Sequence, residues 1–189
     1  GLGSPEDYRG MLVTLRVGDE FPREELMRRL VDVQYARNDL ATLPGTFRAR
    51  GDVLDVFPGY SRDGVRIEFF GDRIESLKRI DPLTGKTLQN FDHTTISPAK
   101  HFVMPAEKIA PAVERVLAEM EARVAELEGQ NKLLEAQRLR MRTTFDMEML
   151  REVGYCSGIE NYSGPLSGRA RGSRPYTLID FFPPGFLTI

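Results

Sequence analysis

The feature that most constrains this chain is an abrupt change of character near residue 104. Before it, glycine and proline punctuate short runs of β-formers. After it, over residues 104–153, the only glycine is Gly129, and Ala, Glu, Leu, Arg and Met dominate. Such a stretch offers few turn residues and many strong helix formers. Ile109, Val113, Val116, Leu117, Met120, Val124 and Leu127 recur at three- and four-residue steps, which is the spacing of one helix face. Leu133 to Val153 repeats the pattern. The segment reads as two helices, or as one long helix broken near Glu128-Gly129-Gln130-Asn131. Its ten acids and eight bases intermix as they would on the solvated face of a helical hairpin, and the heptad run is too short for a coiled coil.

Residues 1–103 carry strand signals. Met11 to Val17 is rich in β-formers and stops at Gly18. Pro22 opens a helix, since its missing N–H costs nothing in the first turn, and Leu26, Leu30 and Val33 keep helical spacing over Arg23 to Tyr35. Strands are expected at Thr46–Arg50, Val53–Phe57 and Val65–Phe70, with a Gly71-Asp72 turn into Ile74–Ile80. Strands joined by short turns and mixed with helices predict an α+β fold built on an antiparallel sheet. Beyond Val153 the chain is Gly-, Ser- and Pro-rich up to Pro175, then strand-like over Tyr176–Phe182. Arg169, Arg171 and Arg174 have no acid between them, which predicts a mobile basic loop.

Composition excludes several functions. With 26 basic and 28 acidic residues among 189, the net charge is -2, so the chain is no generic polyanion binder and any nucleic-acid contact is local. One cysteine, Cys156, rules out an intrachain disulfide framework, and two histidines, His93 and His101, are too few for a His-based metal site. Neither histidine shows catalytic spacing, and Cys156 has no cation or histidine beside it, so it reads as a packing thiol. No apolar run reaches the roughly 20 residues of a membrane span, and no leader is visible, so a cytoplasmic setting is expected. The absent initiator Met and the apolar Phe186-Leu187-Thr188-Ile189 end, which reads as an unfinished strand, suggest a piece of a longer protein.

Thr84-Gly85-Lys86-Thr87 invites comparison with the phosphate-binding G-x-x-x-x-G-K-[ST] loop. The position of its first glycine holds Ile80, so Asp81 to Gly85 reads as a turn instead. The sharper signal lies on the sheet. Alternation puts Arg48 and Arg50 on one face of their strand, and Arg66 and Glu68 on one face of theirs. Arg37 lies in the preceding loop. Three guanidiniums and one carboxylate on a shared face read either as an ordinary solvated surface or as a docking patch for a mainly acidic partner, since arginine pairs carboxylates with two bonds. Tyr155 and Tyr162, set among the small residues of Gly154 to Ser163, suit either stacking on a base or packing under a loop.

Arg28-Arg29-Leu30-Val31-Asp32-Val33-Gln34-Tyr35, Gly45-Thr46-Phe47-Arg48-Ala49-Arg50-Gly51-Asp52-Val53 and Val65-Arg66-Ile67-Glu68-Phe69-Phe70-Gly71-Asp72 resemble the UvrB family of bacterial nucleotide excision repair. Gln137-Arg138-Leu139, Arg142-Thr143 and Gly154 to Ser163 extend the resemblance along essentially the whole chain. It implies that residues 7–103 form a UvrA-docking α+β domain. Residues 1–6 and 104–189 would be part of a flanking α/β helicase-like domain. It places UvrA-contacting charges on Arg37, Arg48, Arg50, Arg66 and Glu68, and DNA-proximal positions on Arg142 and Tyr162. The family's parent protein is an ATPase using ATP and Mg, and it meets DNA and UvrC. Its P-loop and acidic Walker B motif do not occur in this stretch, which is therefore expected to hold no cofactor and to hydrolyse no ATP. Two alternatives remain on sequence: the related module of a transcription–repair coupling factor, which the Cys156 to Ser163 motif disfavours, and an independent nucleic-acid binder using Arg169, Arg171, Arg174 and Tyr162.

Overall fold

The computed structural model describes residues 2–170, 172–183 and 185–186. In chain order its elements are α1 (Pro5–Gly10), β1 (Val13–Arg16), α2 (Arg23–Asp32), β2 (Ala36–Arg37), β3 (Thr46–Arg50), β4 (Val53–Phe57), β5 (Gly64–Phe70), β6 (Arg73–Ile80), β7 (Thr87–Phe91), β8 (His93–Ile96), α3 (Ala106–Gly129), α4 (Leu133–Val153) and α5 (Ser163–Leu166). They form two compact units, residues 10–101 and a second made of 1–9 with 102–189.

The first unit is α+β. Its six-stranded sheet runs β2-β3-β4-β5-β6-β7, and β1 pairs with β8 separately. All pairs are antiparallel except β2 with β3. The two tightest hairpins turn on Gly51-Asp52 and Gly71-Asp72. Their glycines sit at φ +56° and +62°, a region closed to most side chains. One sheet face supplies Phe47, Leu54, Val56, Ile67, Phe69 and Leu77 to a core that also takes Leu26 and Leu30 of α2 and Val13, Leu15 and Ile96 of the small sheet.

Pro22 is the residue capping α2 rather than its first helical residue, and the helix stops at Asp32, short of the expected Tyr35. Gln34 at φ +70° breaks the helical path. Tyr35 then turns inward and donates its hydroxyl to the Ser97 carbonyl at 2.9 Å. Strands β7 and β8 carry no periodic signal in sequence. Four of the five β7 residues are exposed, so no apolar alternation marks it.

In the second unit α3 and α4 form the hairpin, and the chain takes the two-helix alternative: residues 130–132 break it, with Asn131 at φ +59°. Val113, Val116, Met120 and Val124 are buried and Leu117 is half-buried. Pairs Arg151–Glu114 (2.6 Å) and Arg140–Glu121 (3.2 Å) cross between the helices. The short α1 belongs here too: Tyr8 meets the Phe181 ring edge-on at 5.6 Å, and Lys108 Nζ lies 2.6 Å from Asp7.

One expectation fails in this unit. Tyr176–Phe182 is not a strand. Tyr176 makes one bridge with Leu2, and a 3-10 turn then runs over Leu178–Phe181. Asp180 accepts from the Thr177 backbone N–H at 2.8 Å and from its hydroxyl, a capping box that draws the backbone out of an extended path. In the basic segment Arg174 grips Asp180 through both Nη atoms (2.5 and 2.9 Å), and Arg169 donates to the Arg174 carbonyl and lies 5.6 Å over the Tyr176 ring. The acid that pairs with Arg174 lies after the three arginines rather than between them. Arg171 and Leu187-Thr188-Ile189 lie outside the described residues.

Gly64 generates a test. Glycine inside a strand normally costs about 0.5–1 kcal/mol relative to alanine. Here an added Cβ would sit 3.0 Å from the Phe57 ring and 3.1 Å from Ile80 Cγ1. Overpacking typically costs about 1–3 kcal/mol, so the clash wins. Gly64→Ala should lower the urea midpoint; an unchanged or raised midpoint contradicts this packing.

Candidate functional site

Strand alternation leaves one face of the large sheet to charge. The register sets Arg48 opposite Asp55, Asp55 opposite Arg66 and Arg66 opposite Lys78, a single row across β3 to β6. The neighbouring row runs Arg50, Val53, Glu68 and Ser76. The four sheet residues expected from alternation thus share one face, two in each row, on β3 and β5.

Asp55 holds the first row. It is 3% exposed. Arg48 donates to its Oδ2 from Nε at 2.9 Å, with Nη2 at 2.8 Å. Arg66 brings Nε to Oδ1 at 2.7 Å and Nη2 to Oδ2 at 3.0 Å, a two-bond fork. Burial pushes the Asp55 carboxyl upward, but the bonds from Arg66 and then Arg48 outweigh it and hold the pKa below the ordinary carboxylate value. The same contact raises the Arg66 pKa. Arg48 also lies 5.3 Å over the Phe57 ring, and Phe57 and Ile80 are buried on this same face.

Glu68 is paired as well. Lys78 Nζ stands 2.5 Å away and Ser76 Oγ 2.6 Å, and these two bonds, Lys78 first, lower its pKa against partial burial. At the β2 edge, Asp39 takes the Ala49 backbone N–H at 3.0 Å and Arg37 Nε at 3.0 Å, which lower its pKa in that order. Its backbone carbonyl accepts from Arg50 Nη2 at 3.3 Å. Arg37 and Arg50 therefore converge on one residue and stay exposed.

The expected inventory of three guanidiniums and one carboxylate needs correction. The face carries Arg48, Arg50, Arg66 and Lys78 against Asp55 and Glu68. Asp55 was missed because Val53-Leu54-Asp55-Val56-Phe57 reads as an apolar strand. The available signal was its parity: a lone acid on the outward side of a strand next to two outward arginines.

Arg142 and Tyr162 lie in the other unit and meet there. Buried Asp146 accepts from Arg142 Nε at 3.1 Å and from the Tyr162 hydroxyl at 2.7 Å. Burial, then that bond, pushes the Tyr162 pKa up to about 12. Cys156 is buried nearby in the same core, and burial pushes its thiol up to about 11, the environment of an inert packing thiol. Tyr162, Arg115, Arg123 and Arg169 line a groove of about 890 Å³.

Thr84-Gly85-Lys86 belongs to the turn between β6 and β7, and Thr87 is the first residue of β7. Asp81 Oδ1 accepts from the Leu83 and Thr84 backbone N–H groups, and Gly85 sits at φ +70°. His93 is exposed on β8 and His101 is exposed beyond it. Among the described residues no cluster of acids, histidines or cysteine is placed to hold a metal, and no helix is long and apolar enough to cross a membrane.

A sheet domain with a charged, internally paired face, followed by a helical hairpin domain, is the class this architecture defines. Residues 13–102 match the model of the UvrB interaction domain and residues 107–168 that of the UvrB third helical domain. The chain belongs to the UvrB family. It is 54% identical over 191 aligned positions to UvrABC system protein B of Bacillus subtilis strain 168, and 56% identical over 191 to that of Bacillus caldotenax. To that of Streptomyces avermitilis it is 53% identical over 189. Each alignment covers 100% of this chain but only 29%, 29% and 26% of the relative, so the chain spans under a third of their length.

Removing one member of a buried ion pair strands the rest, typically at about 3–5 kcal/mol. Asp55→Ala should therefore destabilise the chain by about 3–5 kcal/mol at pH 7. Because the folded pKa of Asp55 is depressed, its contribution is fully present above the unfolded value of about 3.9 and fades as pH falls through the folded value. Urea unfolding of both proteins from pH 7 downward should show the gap closing in acid; a gap under about 1 kcal/mol at pH 7 contradicts the buried-triad account.

Proposed function

We propose that this chain is the UvrA-docking part of a UvrB protein in bacterial nucleotide excision repair, and that the charged face of the large sheet is the docking surface. The carrying observation is that the unit matched by the UvrB interaction domain carries Arg37, Arg48, Arg50, Arg66 and Glu68, the five positions the family resemblance assigns to UvrA, four of them on one face.

The five divide by role. Arg48 and Arg66 keep side-chain exposures of 12% and 23% and spend their donors on Asp55, so they set the shape of the face. Arg37 and Arg50 are exposed and offer charge to an acidic partner surface, with Glu68 as the complementary acid. Charge pairs at such an interface supply orientation and on-rate more than raw affinity.

In this reading the parent protein supplies what this stretch does not: an ATP- and Mg-dependent ATPase, DNA binding and the hand-over to UvrC in the cytoplasm. The chain itself hydrolyses no ATP and needs no cofactor to dock. The helical unit borders DNA in the parent through Tyr162, which lines the groove, and Arg142, which shares Asp146 with it. The match over residues 107–168 supports this reading over the module of a transcription–repair coupling factor.

The test is charge reversal. Truncating one member of a desolvated interfacial pair costs about 2–5 kcal/mol, which at about 1.4 kcal/mol per tenfold is roughly 30-fold or more in affinity. Arg37→Glu with Arg50→Glu should weaken UvrA binding at least that much in calorimetry. Both sites are exposed, so thermal melts should barely move. Unchanged affinity refutes the docking face.

A further inference from the structure

We propose that Phe70, at the tip of the β5–β6 hairpin, is the apolar anchor of the docking face, and that the partner surface offers an apolar pocket beside the acids that meet Arg50. This inference rests on the docking reading above and deepens it.

Three observations carry it. The first is orientation. Along β5, Gly64, Arg66, Glu68 and Phe70 share parity, while Ile67 and Phe69 enter the core at 0% and 4% exposure. Phe70 therefore continues the charged row outward. It is 79% exposed, whereas Phe57 and Ile80 of this face are buried at 3% and 0%. Across β3 to β5 the face covers Phe57 and presents Phe70.

The second observation is rigidity. Backbone hydrogen bonds fix both sides of the tip. Phe69 N–H donates to the Asp52 carbonyl at 2.9 Å, and Phe21 N–H to the Asp72 carbonyl at 2.7 Å. Ile74 N–H donates to the Asp19 carbonyl at 2.9 Å, and Gly18 N–H to the Ile74 carbonyl at 2.8 Å. Glu20 bridges Arg73. Between Glu68 and Phe69 the ladder shifts register, with Glu75 as the extra residue on β6, a bulge of the kind that re-aims side chains at a sheet edge. An aromatic ring on so well-tethered a turn loses little freedom on binding, which is what an anchor requires.

The third is position. Arg50 lies two strands from β5, about 9.5 Å away at ordinary strand spacing, and Phe70 is one pleat repeat beyond Glu68, about 7 Å along the strand. Arg50, Glu68 and Phe70 thus fit within the footprint of a single recognition patch. Aromatic residues and arginine are the side chains enriched where interfaces concentrate their energy. With Arg48 and Arg66 holding their donors on Asp55, the face lacks an exposed energetic centre of its own, and Phe70 fills that place. Leu83, 92% exposed, stands in the β6–β7 turn at the opposite end of β6 and serves as the control for an exposed apolar residue outside the patch.

The experiment is calorimetry of the full 189-residue chain against UvrA, with Phe70→Ala, Phe70→Leu, Leu83→Ala and the Arg37→Glu/Arg50→Glu pair. Phe70→Ala should weaken binding roughly tenfold or more, as truncating an interface anchor does, with a less negative heat-capacity change because less apolar surface is buried. Phe70→Leu should recover most of the loss, Leu83→Ala should bind like the parent, and melting temperatures should hold. If Phe70→Ala binds at full strength while charge reversal weakens binding, the anchor is wrong and the docking face stands. If neither change matters, the docking reading itself fails. A loss in Leu83→Ala as large as in Phe70→Ala also overturns the anchor.

Discussion

One buried carboxylate organises the charged face of this protein. Asp55 stands at the centre of the sheet, 3% exposed, with a guanidinium on either side. An isolated ionised carboxylate there would lose its hydration and take up a proton. Two arginines, delivered by the strands on both sides, keep it charged instead. Such a triad adds little net stability over a well-packed apolar alternative, yet breaking it is costly because it leaves charges stranded. Its consequence here is geometric. Arg48 and Arg66 are aimed inward and locked, which leaves Arg50 exposed on the face and Arg37 exposed at the β2 edge, both steered by Asp39.

That arrangement gives the two kinds of charge different jobs. The inner ones are held against Asp55, with Arg48 lying over the Phe57 ring. The outer ones remain solvated and able to exchange water for a partner at modest cost. The helical unit follows the same economy with different residues: Asp146 is buried, Arg142 and Tyr162 satisfy it, and Tyr162 also lines the groove. In both units the acid that completes the cluster is the residue hardest to notice from the chain alone.

The legible parts of the fold are those where a local rule and the tertiary structure agree. β3 to β6 could be read because runs of β-formers coincide with turn residues, Gly-Asp at two of the three connections, and α3 and α4 because apolar spacing and composition coincide. β7 and β8 could not, since they are held by pairing with neighbours rather than by apolar faces of their own. Tyr176–Phe182 misled for the opposite reason: its apolar residues suit a strand, but Thr177 and Asp180 capture the backbone first. For the charged face, alternation alone assigned Arg48, Arg50, Arg66 and Glu68 to a common side. It could not supply register, and register decides which charge meets which. Asp55 and Lys78 enter only through the ladder, and Asp39 through a loop whose path no periodicity describes.

The most direct measurement is the titration of the Asp55 carboxyl itself, followed by carbon-13 NMR in the folded chain. The two-guanidinium clamp predicts a midpoint below the ordinary 3.8, and a rise from that midpoint in Arg66→Ala, where one of the two guanidiniums opposing burial is gone. A midpoint at or above 3.8 in the unaltered chain, or one indifferent to the loss of Arg66, would contradict the account.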